Sequence, residues 1–330
     1  MELLRRSALV SETFAFGFKM FLPGVIGFIF FLGISTSVPI DAPKIKPVDL
    51  SYSCMKITLG EETEEKAPVI LIHGVLGSKE VWRGFQEHLC LKTGRKVCAP
   101  DLRNHGDSPW DDRSDVAAMS EDIVELMDNL RMSKAVLLGL SLGGKVAVHV
   151  SLENPDRVEK VIVGDMRPNG VSKGALTDIK HTVALLNESL KIIPENADEK
   201  SAKKAVLTFI NSQLRKANLT ELRKESDADL LPLTCSDGKC RWKFNMKVLA
   251  RVANNPLAQL TNSTGVYNGP ALFAYGTESP FKVGEVEPEI KQLFPNAKLF
   301  PIKGAGHNVG SYNEFKEEVL TFINSDEASE

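Results

Sequence analysis

The sequence has no C-x-x-C pair, no Gly-rich phosphate loop, no cluster of metal-ligating side chains and no basic arm. The missing C-x-x-C pair argues against structural zinc and thioredoxin-like chemistry. A formal net charge of −3 and the lack of a basic-aromatic stripe argue against nucleic-acid binding. No internal repeat is visible. We therefore expect no metal, no cofactor and no nucleic-acid partner.

The hydrophobic residues of the chain follow a pattern that is typical of a layered α/β domain. Hydrophobic residues make up 43% of the 330 residues, enough for one large core or for a core plus a lid. Strand-like and helix-like patterns alternate from about residue 67 to 165 and again from about 270 to 325. This alternation predicts an α/β fold with a mostly parallel central sheet and helices on both faces.

Residues 139–143 read G-L-S-L-G and are the most informative stretch of the chain. An apolar run, residues 135–138, precedes them, and a helix-like run, residues 145–152, follows. A G-x-S-x-G between a strand and a helix is typical of a nucleophile elbow, whose tight turn needs small residues beside the serine. An ordinary turn is the alternative, but the flanking strand and helix favour Ser141 as a nucleophile.

A serine nucleophile needs a base, which in chains of this kind follows the serine in sequence. Three histidines do so: His149, His181 and His307. His149 falls inside the helix after the elbow, and His181 falls in a charged helical region. His307 directly follows a strand-like run, residues 297–302, in a loop at a strand's C-terminal end. We therefore expect His307 to be the base, with a solvated loop histidine as the alternative.

Two carboxylates compete to orient the base. The commonest position is the loop after the strand at residues 270–276, where Ser279 stands at the usual place of the acid and Glu278 precedes it. The other known position is the end of the strand Val158–Gly164, which Asp165 closes. Asp165 would lie beside the elbow, so we favour it, with Glu278 as the alternative acid. A turn cap and an exposed loop charge are the respective structural alternatives.

Two backbone N–H groups are needed to stabilise the charge that develops on the substrate oxygen. Leu142, directly after the nucleophile, is expected to supply one of them. The second is expected from Val75, in the glycine-containing loop 73–78 that follows an apolar strand at 68–72. His73 in this loop is interpreted as a loop-stabilising residue rather than a catalytic one.

Several motifs of the chain are similar to those of one family. They are residues 73–78 (HGVLGS), 101–109 (DLRNHGDSP), the elbow with its following Gly-Lys, 164–168 (GDMRP) and 304–307 (GAGH). On these motifs the chain resembles the α/β-hydrolases and, more narrowly, the abhydrolase-domain eleven subfamily, whose relatives include bacterial acyl esterases and ethanol acetyltransferases. The resemblance runs from about residue 50 to 323. It implies the α/β-hydrolase fold, the acid at Asp165, a mitochondrial location and a possible protein partner.

The chain departs from that family at two positions near the elbow and the acid. Leu140 stands where the family usually has histidine, and we expect it to alter the packing beneath the elbow. Arg167 stands where the family usually has a small residue, so a charge is expected to approach the site. Arg167 therefore leaves the choice of substrate open.

Residues 169–265 interrupt the alternation of strands and helices and are predicted to form a lid. The patterns predict helices at residues 177–190, 202–216, 219–231 and 246–260. Between the last two, Asp237-Gly238 indicates a two-residue hairpin turn. The lid is thus expected to be helical with one hairpin.

The predicted hairpin sets Cys235 opposite Cys240, where Cβ atoms come close enough for a disulfide. Two free thiols are the alternative. Cys90 and Cys98 are a second candidate pair, between a helix end and the next strand, which would leave Cys54 unpaired.

Residues 21–40 are nearly all apolar and are preceded by Arg5, Arg6 and Lys19. This stretch is just long enough to span a bilayer and predicts a signal anchor, with a cleaved signal peptide as the alternative. Glu2 and Glu12 count against a mitochondrial presequence. Membrane association is therefore expected, and the location stays open between the secretory route, slightly favoured by the charges, and the mitochondrion that the resemblance implies.

The predicted organisation is a signal or signal-anchor segment (1–40), a linker (41–49), a hydrolase core in two parts (50–168 and 266–325), a lid (169–265) and a tail (326–330). The predicted activity is hydrolysis of a small-molecule carboxylic ester or thioester through an acyl-enzyme. Acyl transfer to an alcohol is the alternative on the same residues. A non-catalytic partner-binding or protective protein on this scaffold is the alternative of another class.

Overall fold

Short, mostly apolar runs form the central strands of this protein, as is typical of strands buried on both faces. The computed structural model describes residues 45–57, 66–216, 225–254 and 263–325. Its strands are β1 (Tyr52–Met55), β2 (Val69–Ile72), β3 (Val97–Pro100), β4 (Ala135–Leu140), β5 (Val158–Gly164), β6 (Leu233–Ser236), β7 (Lys239–Trp242), β8 (Ala271–Gly276) and β9 (Ala297–Ile302).

The helices lie between these strands. The α-helices are α1 (Arg83–Thr93), α2 (Val116–Asn129), α3 (Leu142–Glu153), α4 (Lys173–Lys191), α5 (Glu199–Lys216), α6 (Met246–Asn254), α7 (Glu287–Leu293) and α8 (Asn313–Asn324). Short 3-10 helices lie at Lys79–Trp82, Pro155–Arg157, Glu225–Leu230, Val283–Val286 and Val309–Ser311.

Seven of these strands form one sheet in the order β1-β3-β2-β4-β5-β8-β9. The edge strand β1 runs antiparallel to β3, and every other neighbouring pair in this sheet is parallel. Parallel neighbours bring their carboxyl ends to the same edge, so the residues that follow β4, β5, β8 and β9 meet there. The predicted α/β fold with a mostly parallel sheet is confirmed.

Side chains alternate between the two faces along the central strands. On β2, Ile70 and Ile72 pack into a cluster with residues of α2, α3 and α7, whereas Val69 and Leu71 pack into a second cluster with α1 and α8. All four side chains are fully buried. Because both faces are apolar, the sheet needs helices on both sides, and this fixes the three-layer architecture.

The segment between β5 and β8 builds a separate apolar cluster above the carboxyl edge of the sheet. Its buried members are Leu186, Ala202, Val206, Leu233, Trp242, Phe244 and Leu249. Val75 and Leu76 of the loop after β2 pack against this cluster. The helices and the hairpin expected for a lid therefore rest on the loop that is expected to supply an oxyanion N–H group.

One predicted lid helix differs in the structure. Of the helix expected at residues 219–231, the described part, Glu225–Leu230, is a 3-10 helix. Its sequence, E-S-D-A-D-L, contains serine and aspartate, which compete with helical hydrogen bonds and disfavour a longer α-helix. Residues 219–224 and 255–260 of the predicted helices lie outside the described residues.

One of the two candidate disulfides differs in the structure. Cys235 and Cys240 face each other in the β6–β7 hairpin, with their sulfur atoms 2.05 Å apart. The second pair is Cys54–Cys98, at 1.93 Å, and Cys90 is free and buried. The expected Cys90–Cys98 pair is therefore wrong. The reason is the edge strand β1, whose antiparallel register sets Cys54 directly opposite Cys98.

Alkylation in denaturant is expected to count these pairs. Without reductant, one of the five cysteines, Cys90, should be modified, because the other four are in disulfides. After reduction, all five should be modified, as intact mass and peptide mapping would show. The Cys90→Ser variant is the control and should take up no label before reduction. Label on Cys98 without reductant would contradict the Cys54–Cys98 pair.

Within the described ranges, no helix combines the length and the apolar character that a bilayer span requires. The segment at residues 1–40, the first part of the linker (41–44) and the tail at 326–330 lie outside those ranges.

Candidate active site

The elbow after β4 is formed by a strained backbone that glycines make possible. Ser141 has a φ of 52° and a ψ of −119°, and α3 begins at the next residue. A Cβ on Gly139 would lie 2.1 Å from the Gly143 carbonyl oxygen, and one on Gly143 would lie 2.2 Å from the Ile72 oxygen. Only glycine fits at either position. The turn therefore holds the serine hydroxyl above the carboxyl edge of the sheet.

Three side chains that are far apart in sequence form one hydrogen-bonded chain at this edge. Ser141 Oγ lies 2.9 Å from His307 Nε2, and His307 Nδ1 lies 2.6 Å from Asp165 Oδ2. With Asp165 ionised, the imidazole proton sits on Nδ1 and is donated to the carboxylate, so Nε2 is free to accept the serine proton. The residues expected from the sequence as nucleophile, acid and base are thus brought together in the order that proton transfer requires.

The Asp165 carboxylate is buried and receives two further hydrogen bonds. The Gly276 N–H donates to Oδ1 over 3.0 Å, and the Ser279 hydroxyl donates to Oδ2. Asp165 is 1% exposed, so these donors, together with His307, replace the water that the carboxylate loses. In the sequence, Ser279 stands at the usual place of the acid. Its hydroxyl instead supports the acid supplied by the neighbouring strand.

Glu278, the alternative acid, is exposed on the loop after β8. Its backbone N–H donates to the Ala305 carbonyl over 3.0 Å. His307 Nδ1 donates its hydrogen bond to Asp165, at the end of β5. The geometry therefore favours Asp165 for orienting the imidazole.

The loop after β2 lies against the serine and is held by a buried histidine. A Cβ on Gly74 would lie 3.2 Å from Ser141 Cβ, which places the backbone of Gly74 beside the nucleophile. His73 Nε2 accepts the Leu102 N–H over 3.0 Å, so its ring proton is on Nδ1 and is donated to the Gly74 carbonyl over 2.7 Å. Burial lowers the pKa of His73 and keeps it in this neutral form. The loop-stabilising interpretation of His73 agrees with these contacts.

The comparisons with known proteins agree with this geometry. Residues 67–180 match the family model for the alpha/beta hydrolase fold. The chain is similar to the sn-1-specific diacylglycerol lipase ABHD11 of Xenopus tropicalis, with 32% identity over 283 residues that cover 84% of this chain and 83% of the relative. The chain belongs to the α/β-hydrolase family.

Two further similarities come from a fungal protein and a solved structure. A probable alcohol acetyltransferase of Saccharomyces cerevisiae is 28% identical to this α/β-hydrolase and is aligned over 84% of each chain. The structure of a marine microorganism esterase matches with a TM-score of 0.67 and 28% identity, covering 83% of this chain and 99% of that one. Together with the lipase relative, these similarities support an α/β-hydrolase that acts on ester bonds.

The Arg167 side chain of this α/β-hydrolase binds the turn after β8. Its guanidinium donates to the carbonyls of Phe281 and Lys282, and its side chain is 16% exposed. Its Nε and Nη2 donors bind the turn after β8, whose Phe281 ring is stacked on His307, so the effect of this charge on substrate choice stays a prediction. Leu140 packs against the end of β5, since a Cβ on Gly164 would lie 2.2 Å from its Cδ2.

Proposed function

We propose that this protein is a serine hydrolase that cleaves a small-molecule carboxylic ester or thioester through an acyl-enzyme on Ser141. The observation that carries the proposal is the unbroken hydrogen-bonded chain from Ser141 Oγ through the His307 ring to Asp165. Such a chain activates a hydroxyl that is otherwise a poor nucleophile. It also argues against a purely non-catalytic binding protein on this scaffold.

In the first half of the reaction, Ser141 Oγ attacks the acyl carbonyl carbon while His307 Nε2 takes the hydroxyl proton. Asp165 holds the imidazole and stabilises the positive charge that it gains. The tetrahedral oxyanion accepts hydrogen bonds from the N–H groups of Leu142, at the start of α3, and Val75. His307 then gives its proton to the leaving alkoxide or thiolate, and the acyl group remains on Ser141.

In the second half, a water molecule attacks the acyl-enzyme carbonyl as His307 Nε2 takes the water proton. The tetrahedral intermediate collapses, the proton passes to Ser141 Oγ, and the carboxylic acid leaves. If an alcohol replaces water, the same steps give a new ester. The similarity to a probable alcohol acetyltransferase favours acyl transfer to an alcohol as the second candidate. The choice between them depends on how far the lid excludes water.

Trapping the acyl-enzyme tests the proposal. After acid quench during turnover of a p-nitrophenyl ester, we expect a mass increase equal to the acyl group on the peptide that contains Ser141. The Ser141→Ala variant should form no adduct. A full rate of turnover by that variant would contradict the proposal.

Adding ethanol to the same reaction separates the two candidate outcomes. If hydrolysis is the reaction, the free acid stays the main product as ethanol rises. If acyl transfer is the reaction, the ethyl ester replaces the acid while consumption of substrate continues. Gas chromatography of both products measures the ratio.

A further inference from the structure

The turn after β8 holds an aromatic ring against the imidazole of His307. The Phe281 and His307 rings are stacked, with centroids 3.9 Å apart and planes 10° from parallel. Phe281 is 5% exposed, so its ring shields one face of the imidazole from water. An aromatic face in this position fixes the plane of the imidazole and stabilises the positive charge that it carries during proton transfer.

The Phe281 ring keeps this position only if the turn keeps its shape. Lys282, the next residue, has a φ of 51° and a ψ of 47°, in the left-handed region that costs free energy for residues other than glycine. The Arg167 guanidinium holds the turn by two donors. Its Nε donates to the Phe281 carbonyl over 2.6 Å, and its Nη2 donates to the Lys282 carbonyl over 2.9 Å. A planar group that binds both carbonyls fixes their directions together.

Arg167 is held in turn by a buried lysine of the elbow helix. Lys145 Nζ donates to the Pro168 carbonyl over 2.6 Å and to the Arg167 carbonyl over 3.4 Å. Lys145 is fully buried, and burial lowers its pKa to about 8. It lies in α3, one turn after Ser141. The helix that begins at the nucleophile therefore supports the segment that carries the acid, and that segment supports the turn against the base.

We propose that Arg167 and Phe281 form a clamp that positions His307, with Arg167 acting through Phe281. The inference rests on the proposed function only for the role of His307 as the base. Arg167 is then a positioning residue, since its donors reach two backbone carbonyls and no reacting atom. Direct binding of substrate by the Arg167 charge is the competing account. It predicts a change in KM, whereas the clamp predicts a change in kcat.

Steady-state kinetics with an ester substrate test the clamp. Arg167→Ala and Phe281→Leu are each expected to lower kcat about tenfold with KM unchanged, because a misplaced imidazole affects the chemical step rather than ground-state binding. The double variant should be no slower than the slower single variant, because both changes remove the same contact. Phe281→Tyr, which keeps the ring, should retain kcat. Glu285→Gln is the matched control, since the Glu285 carboxylate lies 3.7 Å from Arg167 and is 68% exposed.

The stacking of Phe281 on His307 also has an NMR signature that does not depend on catalysis. In wild-type protein, the ring current of Phe281 should shift the His307 ring protons upfield in NMR spectra of histidine-labelled protein. Phe281→Leu should remove this shift, and Arg167→Ala should reduce it. The clamp is wrong if Arg167→Ala leaves the chemical shift and kcat unchanged or raises KM alone. It is also wrong if the effects of the two single variants on kcat multiply in the double variant.

The two proposals fail in different ways. Full turnover by Ser141→Ala would remove the proposed function while leaving the NMR result as it is. If Arg167→Ala does not fold, the Phe281→Leu and Phe281→Tyr pair still decides the clamp. Equal kcat values in these two variants would overturn it.

Discussion

Replacing Asp165 with asparagine is expected to lower kcat by about 10⁴-fold, with a much smaller effect on KM. An asparagine amide donates a hydrogen bond where the carboxylate accepts one, so the imidazole takes the tautomer with its proton on Nε2. That nitrogen then cannot take the proton from Ser141 Oγ, which lies 2.9 Å away. The positive charge on the imidazole also loses its partner. Initial rates with a p-nitrophenyl ester, at substrate concentrations above and below KM, measure both constants.

Glu278→Gln is the matched control for this prediction. It removes one carboxylate from the neighbouring loop, where Glu278 is exposed, and should leave kcat close to the wild-type value. The reverse ranking, with Asp165→Asn active and Glu278→Gln inactive, would assign the orienting acid to the loop after β8. It would then make the buried Asp165 a structural residue.

The second large effect is on stability and concerns a buried ion pair between Arg103 and Asp122. The guanidinium of Arg103 binds the carboxylate of Asp122 through two contacts, Nε to Oδ2 at 2.6 Å and Nη2 to Oδ1 at 2.7 Å. Arg103 is 1% exposed and Asp122 is 0% exposed. Asp122→Asn removes the buried counter-charge and leaves the half-exposed Asp111 carboxylate, 3.7 Å from the guanidinium, so the free energy of unfolding should fall by about 3 kcal/mol. Urea unfolding followed by circular dichroism measures this loss.

The same substitution near the C-terminal end of α2 provides the control. Asp128 pairs with Arg157 through a 2.6 Å contact, but its side chain is 56% exposed. Asp128→Asn should therefore cost less than about 1 kcal/mol, because water replaces the lost partner. Equal losses in the two variants would mean that the buried pair contributes no more than a surface pair.

The parts of the fold that the sequence predicted well are those that depend on local pattern. The strand expected at residues 158–164 is β5, and the one expected at 297–302 is β9, because each is a short strand-like pattern with a clear end. Since the sheet is parallel, the ends of such strands share one edge, so the positions of Asp165 and His307 followed from the pattern. Ser141 could be predicted as the nucleophile because its tight turn requires glycines on both sides.

The parts that the sequence did not reveal depend on contacts between distant segments. Ser279 reaches Asp165 across 114 positions of sequence. Arg167 reaches the Phe281 carbonyl across the same separation. Cys54 meets Cys98 only because an edge strand pairs with β3 in antiparallel register. No periodicity or local motif records these pairings, since each one arises from the order of strands in the sheet.

Fluorophosphonate labelling of the purified protein, beside its Ser141→Ala variant, tests the central claim most directly. A fluorophosphonate reacts with a serine only when a base and an oxyanion site activate it. The account predicts that the wild-type protein is labelled on the peptide that contains Ser141 and that the variant takes up no label. Equal labelling of the two proteins, or an unlabelled wild type, would contradict an activated serine at the elbow.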